Sequence, residues 1–479
     1  MNRKLFLFIS LIALLALVLS ASGPALASPL MGGGGGPPPP ATAWFTDWIT
    51  SSTTVSDGTD VSIAFDPGDG TPYISYYDAT HGDLMLASPA SGGNCGPNNS
   101  WWCRAVVTLD DVGQYSSIDI YAGGLVWNLG IAYHDNTHHS LKYDVYHCYL
   151  ITCGWTYTTV DSSADPNDAI GRYPSLKFDS TGSPHIAYQV YDDPDNFPDN
   201  LAYYGLKYAY MKSSSNCGGG NWQCDSVVGS LVGATGFYPS LDLNSANKAR
   251  IAYYDYDNGN LMYASAGVGT IGNCGPGGNT WQCDTIDGDT GSNPEVGLYP
   301  SLHVDKGASE NPKIAYYDAT NGKLKYAETP SSNDAYACGP LYFGVHSWRC
   351  VPVDSVGANY PLIGLSLAVD SAGYPIIAYQ DASSIPPTKL KVARPAPAVG
   401  APLGIGNCGA PPPGGSFNYW QCETIDYGGA SSSVAGFVAV GVSPSGLAMA
   451  AYSDYDNYSE YNLKVAYQRF QVLLPLIKR

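Results

Sequence analysis

A short motif of strand-forming residues recurs seven times along the chain. Each copy resembles Ile-Ala-Tyr-Tyr-Asp, in which apolar and aromatic residues suit a pleated strand and the final Asp favours a turn. The spacing averages about 63 residues, longer than the commonest propeller repeats, so the excess is expected in loops. Regular repetition at this period restricts the chain to a repeat architecture. The copies begin at Ile74, Ile131, Ile186, Ile251, Ile314, Ile377 and Ala450.

Three further strand-like segments surround each copy of the motif. A Pro-Ser-Leu segment precedes it, as at Pro174–Leu176, and a Leu-Lys-Tyr-Ala segment follows it, as at Leu324–Ala327. The last segment contains Trp-x-Cys, as at Trp281–Cys283. Four strands per repeat are typical of a propeller blade. The sequence therefore predicts an all-β fold, a seven-bladed β-propeller of four-stranded blades.

The 12 cysteines support the same blade count. They fall as six close pairs between the third and fourth strands, and six pairs fit seven blades if the chain ends meet inside the seventh. Trp44–Ile49 would then supply its missing fourth strand, with Thr46 at the cysteine position, and would pair with Leu463–Ala466. The ring is thus expected to be closed by the N-terminal strand. The pairs are Cys95 with Cys103, Cys148 with Cys153, Cys217 with Cys224, Cys274 with Cys283, Cys338 with Cys350, and Cys408 with Cys422.

Disulfide bonds are the favoured state of these pairs. Zinc sites need four converging ligands, whereas these cysteines form six pairs that are far apart in the sequence and have no matching His in each repeat. An exported chain meets an oxidising compartment, where each bond would stabilise the fold by about 2–4 kcal/mol. We therefore expect about six disulfides, each within one blade.

The ends of the sequence predict its location. Residues 1–27 have the basic start, apolar stretch and Ala-Leu-Ala cleavage site of a signal peptide. Residues 28–43 are a Gly/Pro-rich linker, 44–470 the propeller, and 471–479 a short apolar-basic tail. No later run approaches the 18 or so apolar residues that cross a bilayer. The mature protein is expected to be secreted and extracellular, without a membrane span.

The charge of the chain excludes one class of partner. There are 22 Lys and Arg against 41 Asp and Glu, a formal net charge of −19. Proteins that bind nucleic acid neutralise phosphates with clustered Lys and Arg. We therefore expect no nucleic-acid partner; the oligomeric state stays open.

In these PSLxxD, PxIAYYD, LKYA and WxCxxxD units the chain resembles uncharacterised secreted bacterial repeat β-propellers, which are only distantly similar to sialidase-like propellers. The resemblance covers nearly the whole mature chain and implies the propeller fold. It implies no sialidase activity, because sialidases clamp the substrate with three arginines and carry S-x-D-x-G-x-x-W turns. The mature chain has only seven Arg and no such turn.

Carboxylates recur at the ends of the second and fourth strands, which should emerge on one face of the ring. They could bind calcium or a cationic ligand. The favoured interpretation is structural, because Asp commonly caps tight turns by accepting backbone N–H bonds. The second-strand carboxylates are Asp78, Asp135, Asp255, Asp318, Asp381 and Asp454, and the fourth-strand ones are Asp161, Asp287, Asp354 and Asp426.

The largest deviations from the repeat lie in blades 2 and 3. His134 replaces a Tyr, His138 follows it in the turn, and blade 3 expands the same class of loop. Imidazoles beside carboxylates could hold a divalent metal or shape an acid–base pocket. The alternative is a polar surface loop that grew where no packing opposed it. The predicted ligand-binding residues are His134, Asp135, His138, Asp192, Asp193 and Asp195.

No catalytic signature is present: there is no G-x-S-x-G, H-E-x-x-H or Walker motif. The 38 Tyr either pack in the core or, where exposed, stack on sugars. We therefore expect an extracellular scaffold that binds glycan or protein ligands rather than a catalyst. We expect it to need no cofactor, although it could bind a divalent metal such as calcium. The alternative is a sialidase-like glycoside hydrolase or polysaccharide lyase, since propellers host both classes.

Overall fold

A computed structural model describes residues 42–52, 54–163, 168–192, 203–213, 215–230, 234–267, 272–276, 280–288, 295–307, 310–329, 335–342, 345–357, 364–383, 388–396, 406–409, 419–429, 433–455 and 460–470. Within these residues the strands form seven antiparallel sheets, and a single short 3₁₀ helix spans Pro97–Asn99. The seven sheets are the blades of a propeller, which confirms the predicted fold.

In blades 1 to 4 and in blade 6 the four strands follow chain order from the axis outward. Blade 1 contains β2 (Asp57–Phe65), β3 (Pro72–Asp78), β4 (Asp83–Pro89) and β5 (Trp101–Val107). Blade 2 contains β6 (Val112–Gly123), β7 (Val126–Asp135), β8 (Ser140–Tyr149) and β9 (Thr152–Ser162). Blade 3 contains β10 (Ala169–Phe178), β11 (Pro184–Asp192), β12 (Tyr203–Met211) and β13 (Trp222–Ser230). Blade 4 contains β14 (Phe237–Leu243), β15 (Ala249–Asp255), β16 (Asn260–Ala266) and β17 (Trp281–Asp287).

Blade 5 has one extra strand at its outer edge. It contains β18 (Val296–Val304), β19 (Pro312–Asp318), β20 (Lys323–Glu328), β21 (Ala337–Tyr342) and β22 (Val345–Ser355), with β21 outermost. Blade 6 contains β23 (Leu365–Val369), β24 (Pro375–Asp381), β25 (Lys389–Pro395) and β26 (Trp420–Asp426). Blade 7 contains β27 (Ser433–Val442), β28 (Ala448–Tyr455), β29 (Tyr461–Phe470) and β1 (Thr42–Trp48).

The N-terminal strand closes the ring as predicted. β1 pairs antiparallel with β29, and Thr46 lies opposite Ala466. In blade 5 the fourth-strand cysteine Cys350 lies opposite Ala327, the equivalent alanine of its third strand. Thr46 therefore occupies the cysteine position of blade 7, which explains why seven blades carry only six disulfides.

All six predicted disulfides are present, and no cysteine is free. In blades 1, 3, 4 and 6 the bond joins the fourth strand to the loop before it, and in blade 5 it joins β22 to the extra strand β21. Blade 2 differs, because Cys148 and Cys153 lie directly opposite each other across the β8–β9 hairpin. The cysteine position on β9 is instead taken by Tyr157, opposite Asp144.

The first strands of successive blades surround the axis and are linked by a ladder of serines. The serine of the Pro-Ser-Leu segment accepts a hydrogen bond from a backbone N–H on the first strand of the next blade. Ser240 Oγ, for example, lies 2.9 Å from the Leu302 nitrogen. The junction from blade 7 to blade 1 has Ala439 at this position and therefore no hydroxyl. The ladder serines are Ser62, Ser117, Ser175, Ser240, Ser301 and Ser366.

A buried ionic latch joins the outer parts of neighbouring blades. At the junction of blades 5 and 6, Lys391 of β25 and the Tyr379 hydroxyl of β24 both bond Asp354 of β22. Lys391 also lies 3.4 Å from Asp381 of its own blade. Asp161, Asp287 and Asp426 form the same latch with Lys207, Lys325 and Lys464. The fourth-strand carboxylates thus hold the ring together.

The latch is missing at three junctions, and at two of them both charged partners are missing. Val228 replaces the Asp at the end of blade 3, and Met262 replaces the Lys of blade 4. Thr50 and Met85 show the same joint replacement between blades 7 and 1. At the third, between blades 1 and 2, Val107 replaces the Asp, while Lys142 is kept and lies 3.3 Å from Asp135 of its own blade. A buried charge without its partner is costly, whereas an apolar pair of similar volume is tolerated.

This pairing predicts the outcome of a double-mutant cycle. We expect Lys391→Met to lower the free energy of unfolding by about 3 kcal/mol, because Asp354 stays buried without its cation. The double variant Asp354→Val/Lys391→Met copies the natural pair at the junction of blades 3 and 4, and should recover more than half of the loss. Thermal and urea unfolding measure both. Additive losses in the double variant would contradict the latch.

The disulfide scheme predicts the thiol content of the protein. Titration with a thiol reagent in denaturant should detect no thiol before reduction and twelve after it, because all cysteines are paired. Any thiol that reacts before reduction would contradict the scheme.

Candidate functional site

The carboxylates that end the second strands lie at turns on one end of the ring, here called the upper face. They are buried and cap these turns. Asp318 Oδ1, for example, lies 2.9 Å from the backbone nitrogen of Asn321, and Asp78 Oδ1 lies 3.0 Å from that of Thr80. Within the described ranges no three His, Cys, Asp or Glu side chains are arranged to hold a metal ion.

The structure separates the two predicted imidazoles. His134 is buried, and its Nδ1 lies 2.9 Å from the Ile170 carbonyl oxygen. Burial lowers the pKa of His134 to about 4, so the neutral ring donates through Nδ1. His138 is mostly exposed and lies 3.0 Å from the buried carboxylate of Asp135, which also pairs with Lys142 at 3.3 Å. Successive residues of a strand face opposite sides, which separates His134 from Asp135.

The acidic residues of blade 3 remain a prediction. The backbone of Asp192 ends β11, but its side chain lies outside the described residues, as do Asp193 and Asp195. The structure therefore does not test whether these carboxylates face His134.

A ring of seven equivalent residues surrounds the axis at the upper face, one position before the Pro-Ser-Leu segment. Five of the seven are aromatic, and we call the set the axial ring. Four members, Tyr115, Tyr173, Tyr238 and Tyr299, have left-handed backbone φ angles between 49° and 56°. Each sits at a bulge where the first strand shifts register against the second. The ring consists of Asp60, Tyr115, Tyr173, Tyr238, Tyr299, Gly364 and Phe437.

Glycine two residues earlier makes this bulge possible. Gly297 has a φ of +109°, and a Cβ there would lie 2.5 Å from the backbone of Leu261 in the preceding blade. No other residue allows so close an approach at that φ. The bulge starting at Gly297 therefore places Tyr299 at the axis.

The tyrosines form a continuous partly exposed arc. Their ring centroids are 4.1 Å apart between Tyr115 and Tyr173, 4.8 Å between Tyr173 and Tyr238, and 4.4 Å between Tyr238 and Tyr299. The guanidinium of Arg172 lies 5.6 Å from the centroid of Tyr115 and donates to its hydroxyl at 3.1 Å. One end of the arc is thereby held rigid by a cation of the chain itself.

His134 connects the predicted site to this arc. Its ring centroid lies 6.4 Å from that of Tyr115. The sequence analysis identified His134 but missed the axial tyrosines, because it treated tyrosine as a repeated strand residue. The signal was present in the recurring Gly-x-Tyr before four of the six ladder serines, at Gly113, Gly171, Gly236 and Gly297.

Asp60 is the exception in the axial ring. It shares the left-handed φ of 50°, its backbone oxygen accepts from Ser116 Oγ at 2.9 Å, and its carboxylate accepts from the backbone N–H of Tyr115. Asp60 keeps some contact with solvent, but burial raises its pKa to about 7. The chain thus places a single partly desolvated carboxyl among the aromatic members of the ring.

Comparison with solved structures finds distant matches. The fucose-specific lectin from Aleuria aurantia matches with a TM-score of 0.39 and 11% identity, over 80% of this chain and 98% of the lectin. The α-L-arabinofuranosidase Arb93A from Fusarium graminearum matches at 0.41 and 11%, over 73% and 98%. The NanB sialidase from Streptococcus pneumoniae matches at 0.39 and 13%, over 89% and 70%.

No protein-family model and no protein with a curated function matches the chain. The chain is a seven-bladed β-propeller with distant structural similarity to propeller lectins, sialidases and glycoside hydrolases. At this level the likenesses carry no argument about activity, so the function has to be argued from the axial ring itself.

The raised pKa of Asp60 predicts a pH-dependent effect on stability. Its folded pKa of about 7 lies above the ordinary 3.8, so ionisation destabilises the fold increasingly between pH 4 and pH 8. Asp60→Asn should therefore raise stability at pH 8 by about 1 kcal/mol, allowing for partial exposure, and leave it unchanged near pH 3.5. Thermal unfolding at the two pH values measures this. A variant less stable than the parent at pH 8 would contradict it.

Proposed function

We propose that this protein is a glycan-binding β-propeller and that the axial ring is its binding surface. The observation that carries the proposal is the arc of four tyrosines, partly exposed at the upper face. Sugar rings present apolar C–H faces that stack on aromatic side chains, while their hydroxyls bond nearby polar groups. The Tyr hydroxyls and Asp60 supply such groups beside the stacking faces.

The arc is pre-organised for binding. Each of its tyrosines is set by a backbone bulge and packed against the next. Rigid aromatic residues lose little conformational freedom when a ligand binds. Gly364 gives blade 6 no side chain in the ring, and a Cβ there would lie 2.0 Å from the backbone oxygen of Ala435 in blade 7, so the aromatic arc ends at Tyr299.

Binding is favoured over hydrolysis. A glycoside hydrolase of the common type needs two carboxyl groups facing each other across the scissile bond. Asp60 is the only acid among the seven members of the axial ring. Asp57, on the same strand, accepts instead from Thr50 Oγ1 at 2.6 Å, at the junction with blade 7.

The proposed location is extracellular. Six disulfides are typical of proteins that work outside the reducing cytosol. Among the described residues no helix is long and apolar enough to cross a membrane. Stacking itself requires no metal. A calcium ion bound by the acidic residues Asp193 and Asp195 stays a separate prediction. Repeating the binding assay with EDTA tests it.

The proposal predicts the effect of removing the arc. Tyr238→Ala/Tyr299→Ala should weaken binding of any glycan found on an array by at least about tenfold, since stacking is lost. Tyr238→Phe/Tyr299→Phe keeps the ring faces and should retain most of the affinity. Tyr374→Ala removes an exposed tyrosine far from the arc, in the turn between β23 and β24, and is the control.

Two results would overturn the proposal. One is a parent protein that binds no glycan on the array, with or without EDTA. The other is a glycan whose affinity is unchanged in the Tyr238→Ala/Tyr299→Ala variant, because binding would then lie elsewhere.

A further inference from the structure

Asp60 differs from the other carboxyl groups along the axis in lacking a cation. Two residues beyond Ser117, Asp119 of β6 is also withdrawn from water, and burial raises its pKa, but Lys177 of the next blade supplies a nearby cation that offsets part of this rise. Among the described residues no Lys, Arg or His lies within 4.0 Å of the Asp60 carboxylate. Burial raises its pKa, and the one backbone hydrogen bond, from Tyr115, offsets only part of this rise. Asp60 is therefore a carboxyl group whose ionised form lacks a counter-charge.

Tyrosines from three other strands lie near Asp60. The backbone N–H of Tyr115 of β6 donates to the Asp60 carboxylate, and the negative charge of Asp60 helps to raise the pKa of Tyr77 of β3 and of Tyr461 of β29. Phe437 packs edge-on against Tyr461, with centroids 6.2 Å apart. A carboxylate among aromatic faces is the arrangement that recognises organic ammonium groups, through ion pairing and cation–π attraction.

The charge of the upper face also favours a cationic ligand. Asp57 and Asp111 lie near the blade 1 sector, and Glu295 is exposed beside the other end of the arc. Arg172 is held on the faces of Tyr115 and Tyr173. A carboxylated sugar would meet net repulsion here, whereas a ligand with an amino group would not.

We propose that the blade 1 sector of the axial ring binds the positively charged amino group of a glycan, with Asp60 as its counter-ion and Tyr77, Tyr115 and Tyr461 around it. The preferred ligands are then glycans that contain unacetylated amino sugars. This inference rests on the proposed function, because the tyrosine arc supplies the stacking surface for the neighbouring sugar units.

The test compares two ligands that differ only in charge. One is a hexamer of β-1,4-linked glucosamine, and the other is the same hexamer fully N-acetylated, which is neutral. The parent protein should bind the glucosamine hexamer at least about tenfold more tightly at pH 6.5. Titration calorimetry measures both affinities.

The variants separate Asp60 from general charge effects. Asp60→Asn keeps the shape and suits the left-handed φ, because Asn tolerates that region. It should bind both hexamers equally. Asp69→Asn removes one charge from an exposed turn on the opposite face and should keep the tenfold preference.

The binding results distinguish failure of the amino-group proposal from failure of the proposed glycan-binding function. Equal binding of both hexamers by the parent protein, unchanged in Asp60→Asn, overturns the amino-group proposal and leaves glycan binding in place. Binding of neither hexamer overturns the amino-group proposal, and the glycan array then decides the proposed function. A preference that persists in Asp60→Asn assigns the amino group to another site and also overturns the proposal.

A permanently charged ligand gives a second readout. With an N-trimethylated hexamer, whose charge does not titrate, binding should weaken by up to about tenfold between pH 8 and pH 6 as Asp60 takes up a proton. Tyr77 and Tyr461 do not ionise in this range, because the pKa of each is raised; Arg172 stays charged and His134 stays neutral. Asp57, whose pKa burial raises to about 6, takes up a proton at the lower end of the range in both proteins. The part of the pH dependence between pH 8 and pH 7 should vanish in Asp60→Asn. A parent profile that is flat across this range would overturn the role of Asp60.

Discussion

No described strand of one blade pairs with a strand of another, so the ring depends on side chains that cross between blades. The ladder serines do this near the axis, where each hydroxyl accepts a backbone N–H of the following first strand. Farther out, the Asp–Lys–Tyr latch joins one blade to the next. Both devices rest on repeated residues, because every junction poses the same physical problem. The junction of blades 7 and 1 lacks both and is closed instead by β1, which pairs with β29 along seven residues.

These devices explain why most conspicuous polar residues of the repeat are structural. The latch uses the fourth-strand carboxylates Asp161, Asp287, Asp354 and Asp426. Second-strand carboxylates such as Asp78 and Asp318 cap turns. A buried carboxylate with a cation and several donors has no remaining capacity for a ligand. What remains for function is the axial ring, whose members other than Gly364 are partly exposed and which deviates in blades 1, 6 and 7. Asp60, Gly364 and Phe437 break a pattern that the other four blades keep.

The architecture was predictable because it depends on local pattern. Strand period, turn residues and cysteine spacing identified seven blades, six disulfides and the role of Trp44–Ile49, since each signal lies within a few residues. The candidate site was predicted only in part. His134 was found as a deviation, and it packs near Tyr115. His134 and His138 were assigned to one candidate site; in the structure His134 is buried against the Ile170 carbonyl, whereas His138 lies in the exposed turn beside Asp135. The assignment of Asp192, Asp193 and Asp195 to the ligand-binding site stays a prediction.

The sequence by itself determined the number of blades, their strand order and the way the ring closes, because hydrophobic periodicity and covalent pairing act over short distances. Only the tertiary structure decided which tyrosines reach the axis. Tyr299 and Tyr316 both belong to Tyr-containing strand motifs, yet Tyr316 is fully buried against Asp287 while Tyr299 lines the opening. The difference arises from a glycine bulge that brings the first strand against the preceding blade. Contact between residues from separate blades, and the loss of water around Asp60, exist only once seven blades have closed around one axis.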